Sequence, residues 1–133
     1  MSRSAIYVAN AFNQLVDIDG LIGLGTVIRR FGPNLSLSGN GIQICGQGYY
    51  DLDASITVTP SAEGTVTVTA YANGVAIPGA TASETVGEVD TTVNLSLDAL
   101  YRLVCPCENT NITFVLTGVE STVNNIAVEV DKL

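Results

Sequence analysis

Between Tyr49 and Tyr71 the chain alternates apolar and polar residues in two long runs, and few folds accommodate such a pattern. From Tyr50 the even positions are apolar (Tyr50, Leu52, Ala54, Ile56, Val58), while the odd ones are mostly polar (Tyr49, Asp51, Asp53, Ser55, Thr57, Thr59). A period of two over that length sets one face of a strand in a core and leaves the other outside. Pro60-Ser61-Ala62-Glu63-Gly64 breaks the pattern, and Val66, Val68 and Ala70 resume it. Asn73-Gly74 follows, a type I′ hairpin signal because both central residues of that turn take positive φ. The run predicts three strands in a meander, Tyr49–Thr59, Thr65–Tyr71 and one beginning after Gly74.

The rest of the chain is read in the same way. Asn34–Leu37 and Gly41–Cys45 are predicted as short strands around Ser38-Gly39-Asn40, with later strands at Val93–Leu97, Leu100–Val104, Ile112–Leu116 and Val123–Val130. Gly79, Ala80, Ser83, Gly87 and Asp90 mark a long exposed loop between Ile77 and Thr92. Residues 1–20 alternate poorly and are expected to form an N-terminal arm or peripheral strand, with the folded domain at residues 21–133. Gly20-Leu21-Ile22-Gly23-Leu24-Gly25 lacks the lysine and following helix of a phosphate loop and reads as a flexible lead-in to the first core strand. No stretch keeps a 3.6-residue period, so an all-β fold is predicted. About ten strands in ~110 residues fit a sandwich or jelly roll. An immunoglobulin-like sandwich is disfavoured, since the chain has no Trp and no suitably separated Cys pair.

Composition narrows the function. Net charge is −8, with five basic residues against thirteen acidic ones, which argues against phosphate-backbone binding and hence against nucleic acid as a partner. Charged residues make up 14% of the chain, against an average near ~25%. That fits either a plain polar β-surface or a surface covered by partners. No segment reaches the ~20 apolar residues of a membrane helix. The start of the chain has no apolar run of signal-peptide length, so synthesis and retention in a cytosol are expected. Without histidine, Ser-His-Asp and Cys-His catalysis are excluded. Cys105-Pro106-Cys107 has no second Cys pair to complete a zinc site, so it and Cys45 read as buried or incidental thiols, with a subunit-crossing contact from Cys107 as the alternative. No catalytic residue, metal site or cofactor is expected. Asn34, Asn94 and Asn111 head glycosylation sequons of a kind common by chance in such a composition.

Two motifs carry a resemblance. Gly48-Tyr49-Tyr50 at the head of a long strand is similar to the Gly-x-Tyr of the tumour necrosis factor and complement globular-head superfamily. Asn73-Gly74-Val75-Ala76-Ile77-Pro78-Gly79 resembles the NG-x-x-x-PG hairpin of its bacterial and phage branch, which includes spore-surface collagen-like proteins. Residues 22–133 carry the likeness, which extends to the closing strand Val123, Ile126, Val128, Val130 and Asp131-Lys132-Leu133. It implies a ten-stranded TNF-like jelly roll assembled as a homotrimer, with Tyr49, Tyr50, Asp51 and Asp53 at the trimer interface. One of the two tyrosines would face the core. Asp51 and Asp53 share a strand face, which is either solvated or turned to the threefold axis, where calcium could separate the carboxylates.

The same resemblance implies a structural virion protein of a tailed bacteriophage or prophage. It would be a trimeric capsid decoration protein, made in the host cytoplasm and bound outside the shell through the major capsid protein. The alternatives are a receptor- or carbohydrate-binding fibre tip and a bacterial surface or spore-coat trimer. A fibre tip would end a longer chain, whereas this one begins at Met1, and no collagen-like stalk is present. Apolar groups left in water cost about 25 cal/mol per Å² relative to burial. The arm residues Ile6, Tyr7, Val8 and Phe12 are therefore expected to be covered by the shell, helped by Arg29 and Arg30, while the segment Ala80–Asp90 points outward. Arg29-Arg30 reads either as an exposed strand end or as an anchor to an acidic neighbour.

Overall fold

The computed structural model describes residues 3–104 and 109–133. Twelve strands run in chain order: β1 (Ala5–Asn10), β2 (Gln14–Val16), β3 (Gly20–Leu21), β4 (Thr26–Phe31), β5 (Leu35–Ser38), β6 (Gly41–Cys45), β7 (Gly48–Pro60), β8 (Gly64–Ala72), β9 (Val75–Val86), β10 (Val93–Leu103), β11 (Asn109–Thr117) and β12 (Ser121–Lys132). They form two six-stranded antiparallel sheets. Sheet A has the order β10-β7-β12-β1-β4 with β2 beside β12, and sheet B the order β5-β6-β11-β8-β9 with β3 beside β11.

The sheets meet through the apolar half of each alternation. On β7, Tyr50, Leu52, Ala54, Ile56 and Val58 all point inward, facing Val66 and Val68 of β8 and Phe114 of β11. Each fully buried aliphatic side chain contributes roughly 1.5–3 kcal/mol. Asn73 and Gly74 take φ of 50° and 82°, the pair of positive values that a type I′ turn between β8 and β9 requires.

Five expectations are corrected by the packing. Within the segment expected to be an N-terminal arm or peripheral strand, β1 is neither: it lies inside sheet A, between β12 and β4, and its Ile6 and Val8 are 1% and 0% exposed in the core. The missing neighbours are supplied by the far end of the chain, where Ile6 pairs with Val130 and Val8 with Val128. Leu24, read as part of a flexible lead-in, is also fully buried, while the supposed first core strand, β4, is an exposed sheet edge. The loop expected from Ile77 to Thr92 is strand as far as Val86, because β9 pairs with β8 from Val75 onward; a register shift near Pro78-Gly79 breaks its alternation. The strands expected at Val93–Leu97 and Leu100–Val104 are one continuous strand, β10, which ends at Leu103.

Two glycines fix β4 against β1. Gly25 and Gly32, one before and one after β4, both have φ of 83°. A Cβ on Gly25 would run into the carbonyl of Ala9, and one on Gly32 into the carbonyl of Arg3. The start of the chain is knotted into the same corner. Ser4 Oγ donates to Asn34 Oδ1 (2.7 Å) and accepts from the Asn34 amide (3.2 Å), and Asn34 Nδ2 donates to the Cys45 carbonyl (2.7 Å). The Lys132 amide in turn donates to the Ser4 carbonyl at 2.8 Å. Among the described residues no buried side-chain nitrogen or oxygen lacks a hydrogen-bond partner.

Candidate functional site

The outward half of the β7 alternation places Tyr49, Asp51 and Asp53 on the outer face of sheet A. Strand register then adds acids that are distant in sequence. Asp53 sits opposite Asp98 on β10 and Glu129 on β12, and Asp51 sits opposite Asp131. The row continues through Tyr7 on β1 to Arg29 on β4. Like charges abreast on a sheet oppose one another, so one carboxyl holds a proton more tightly. A hydrogen bond that the protonated Asp53 donates to the Asp98 carboxylate, then partial burial and the charges of Asp51, Asp98 and Glu129, pushes the Asp53 carboxyl up to about 6. A shallow hollow of about 330 Å³ opens here, lined by Tyr7, Asp53, Ser55, Ser96, Asp98 and Glu129. Apolar and basic groups rim the acids: Leu100 and Phe31 are 60% and 62% exposed, and the Arg102 guanidinium lies 5.5 Å over the Tyr49 ring.

Among the described residues the outward positions of sheet B's strands carry no charged side chain; Glu84 of β9, exposed at the sheet edge, pairs with the inward-facing Val66. The central feature of this outer face is a ladder of hydroxyl pairs between β8 and β9: Thr65 with Thr85 (2.9 Å), Thr67 with Ser83 (2.8 Å) and Thr69 with Thr81 (3.2 Å). Asn111, Thr113 and Thr117 of β11 and Gln43 of β6 extend it.

The residues singled out by sequence divide between surface and core. Tyr49, Asp51 and Asp53 stand on one face and are free to meet another molecule. Tyr50, grouped with them, is fully buried, because adjacent strand residues point to opposite sides. Its hydroxyl lies 2.7 Å from the Gly46 carbonyl and 3.1 Å from that of Cys45. Burial, with a smaller contribution from the Cys45 thiol, raises the pKa of the phenol. Ile6 and Val8, expected to meet a partner, are core residues, whereas Tyr7 and Phe12 are 37% and 84% exposed. Arg29 is exposed on β4, and Arg30 points along the sandwich edge to hydrogen-bond the Leu35 carbonyl. Cys105 and Cys107 lie outside the described residues, and with them the readings attached to that pair. Sequence reasoning missed Asp98, Glu129 and Asp131. Each sits at an outward position of an alternating strand, but only the register brings them to Asp51 and Asp53. Among the described residues no group of three or more His, Cys, Asp or Glu side chains is placed to hold a metal ion.

Solved structures share this architecture from end to end. Eiger TNF from S. frugiperda superposes with a TM-score of 0.72 at 12% identity, covering 98% of this chain and 91% of its own. The globular domain of zebrafish complement 1qA gives 0.66 at 8% identity, with 97% and 95% covered. Phage PRD1 vertex protein P5 gives 0.64 at 13% identity, with 98% and 96% covered. No family model matches the sequence, and no curated protein matches it. At such identities the likeness is one of fold, and the fold is the TNF- and complement-like jelly roll.

Proposed function

We propose that this chain is a non-enzymatic structural protein of a tailed bacteriophage or prophage, a homotrimer that decorates the exterior of the assembled capsid. The observation that carries the reading is the likeness to phage PRD1 vertex protein P5 over 98% of this chain and 96% of that one. The proposed trimer contact is the outer face of sheet A around Tyr49, Asp51 and Asp53. Exposed Leu100 and Tyr49 supply apolar area there, and Arg102 supplies a cation to meet a neighbour's carboxylates. The proposed shell contact is Tyr7, Phe12, Arg29 and Arg30, with the major capsid protein as partner. Ile6 and Val8 are removed from it by their burial.

Light scattering of the purified protein at micromolar concentration should give three times the chain mass. A monomer mass refutes the trimer. Co-sedimentation with capsids lacking the protein tests attachment: Phe12→Ser together with Arg29→Glu should abolish it while leaving the mass unchanged. Attachment that survives both changes moves the contact elsewhere on the molecule.

A further inference from the structure

The four outer edges of the two sheets are closed to different degrees. At one side of the sandwich β9 and β10 pack against each other, so each shields the other. At the opposite side β5 is four residues long, and it leaves most of β4 uncovered. Among the described residues β4 pairs only with β1. Half of its backbone N–H and C=O groups therefore point away from the sheet, a template for another strand. Ile28 is the extra residue of a bulge in β4 between the pairs Tyr7–Arg29 and Val8–Val27, and its carbonyl accepts from Arg29 Nη1 at 2.9 Å.

Charge decides what can pair there. Three of the chain's five basic residues stand at this edge: Arg29 and Arg30 on β4, and Arg3, whose carbonyl abuts Gly32. The acids nearest in register are Glu129 and Asp131, both two strands in on β12, across Tyr7 from Arg29 and across Ala5 from Phe31. Pairing β4 with β4 of a second copy would set arginines against arginines, which is unfavourable. An acidic strand would lie directly against Arg29 and Arg30, with Glu129 and Asp131 a further two strands away. Shallow hollows of about 240 and 250 Å³ flank the two ends of β4, one beside Ala5, Arg29 and Phe31 and the other beside Ala9, Phe12 and Ile28. They give alternate apolar side chains of an added strand a place to sit.

We propose that β4 is a docking edge for an extended acidic segment of a partner polypeptide, which joins sheet A as a further strand beyond Thr26–Phe31. The inference rests on the attachment reading and specifies its chemistry: main-chain hydrogen bonds supply the register, and Arg3, Arg29 and Arg30 select for acid. A partner segment of about six residues spans the edge, roughly 20 Å at strand rise.

The probe is a synthetic peptide of alternating glutamate and valine, added to the full-length protein and followed by fluorescence anisotropy and amide hydrogen exchange. Binding should slow exchange within residues 26–31 by at least about tenfold, since those amides become ladder donors. The paired change Arg29→Glu with Arg30→Glu should weaken the glutamate peptide about tenfold or more and strengthen a lysine–valine version. A glutamate peptide N-methylated at alternate residues keeps its charge but cannot pair, so it should bind poorly, which separates strand addition from adhesion to a basic patch. Equal binding of the methylated peptide, unchanged exchange in β4, or no binding of either peptide overturns the proposal. Attachment to capsids is read separately by co-sedimentation, so failure here leaves that reading standing on its own test.

Discussion

The two outer faces of this sandwich are built from the same strand alternation and carry opposite chemistry. On sheet A the outward positions of β7, β10 and β12 bring together Asp51, Asp53, Asp98, Glu129 and Asp131. On sheet B the outward positions of β8 and β9 are Thr65, Thr67, Thr69, Thr81, Ser83 and Thr85, paired hydroxyl to hydroxyl. Both faces satisfy the fold equally, since either kind of residue can occupy the wet side of a strand. One face stores repulsion that depends on protonation, and the other is indifferent to pH. Sheet A can therefore discriminate by charge, while the outward positions of sheet B offer hydrogen bonds without charge.

The comparison can be broken most severely by removing a strand that crosses the acidic face. A chain beginning at Gly20 lacks β1, the link between β12 and β4, and should lose its cooperative thermal transition; a truncated protein that still melts sharply would show sheet A closing without it. Next in size is the inward side of β7. Tyr50→Ala should cost about 3–5 kcal/mol in urea unfolding, while Tyr49→Ala on the outward side should change stability far less.

Asp53→Asn sharpens the contrast between the faces. The folded carboxyl titrates at about 6 against 3.8 for the free group, so its ionisation disfavours the fold. Its contribution is fully present below 3.8 and is lost as pH rises through about 6. The substitution should therefore stabilise the protein at pH 8, by on the order of 1 kcal/mol after discounting for solvent screening, and make no difference near pH 3.5. A gain of equal size at both pH values would place its cause outside the acid row. The smallest effect belongs to sheet B: Thr67→Ala removes one hydroxyl pair and should cost about 0.2–1 kcal/mol, equally at pH 4 and pH 8.

Legibility in the sequence followed local pattern. β7 could be read because Tyr50 to Val58 alternate without interruption, and the β8–β9 turn because Asn73-Gly74 admits few other conformations. β1 was hidden because only Ile6 and Val8 declare an inward face, and their partners Val130 and Val128 lie at the other end of the chain. β9 was hidden by the register shift near Pro78-Gly79 and by small residues that resemble a loop. Of the acid row, Asp51 and Asp53 were visible as neighbours on one strand. The other three acids required the register of β10 and β12, which no local window contains.

The hydrogen bond from Lys132 to Ser4 also has a topological meaning. It brings the two ends of the sandwich chain together at one corner, where Asn34 and Cys45 are tied in as well. A short linker could close the polypeptide into a ring there without disturbing either sheet, and the chain could be reopened in the exposed turn at Gly87–Asp90 between β9 and β10. Every strand pairing would survive the cut, so the order of the strands along the chain is separable from their order in space, and the jelly roll should accept a new beginning between β9 and β10 once its old one is sealed at the Ser4–Lys132 corner.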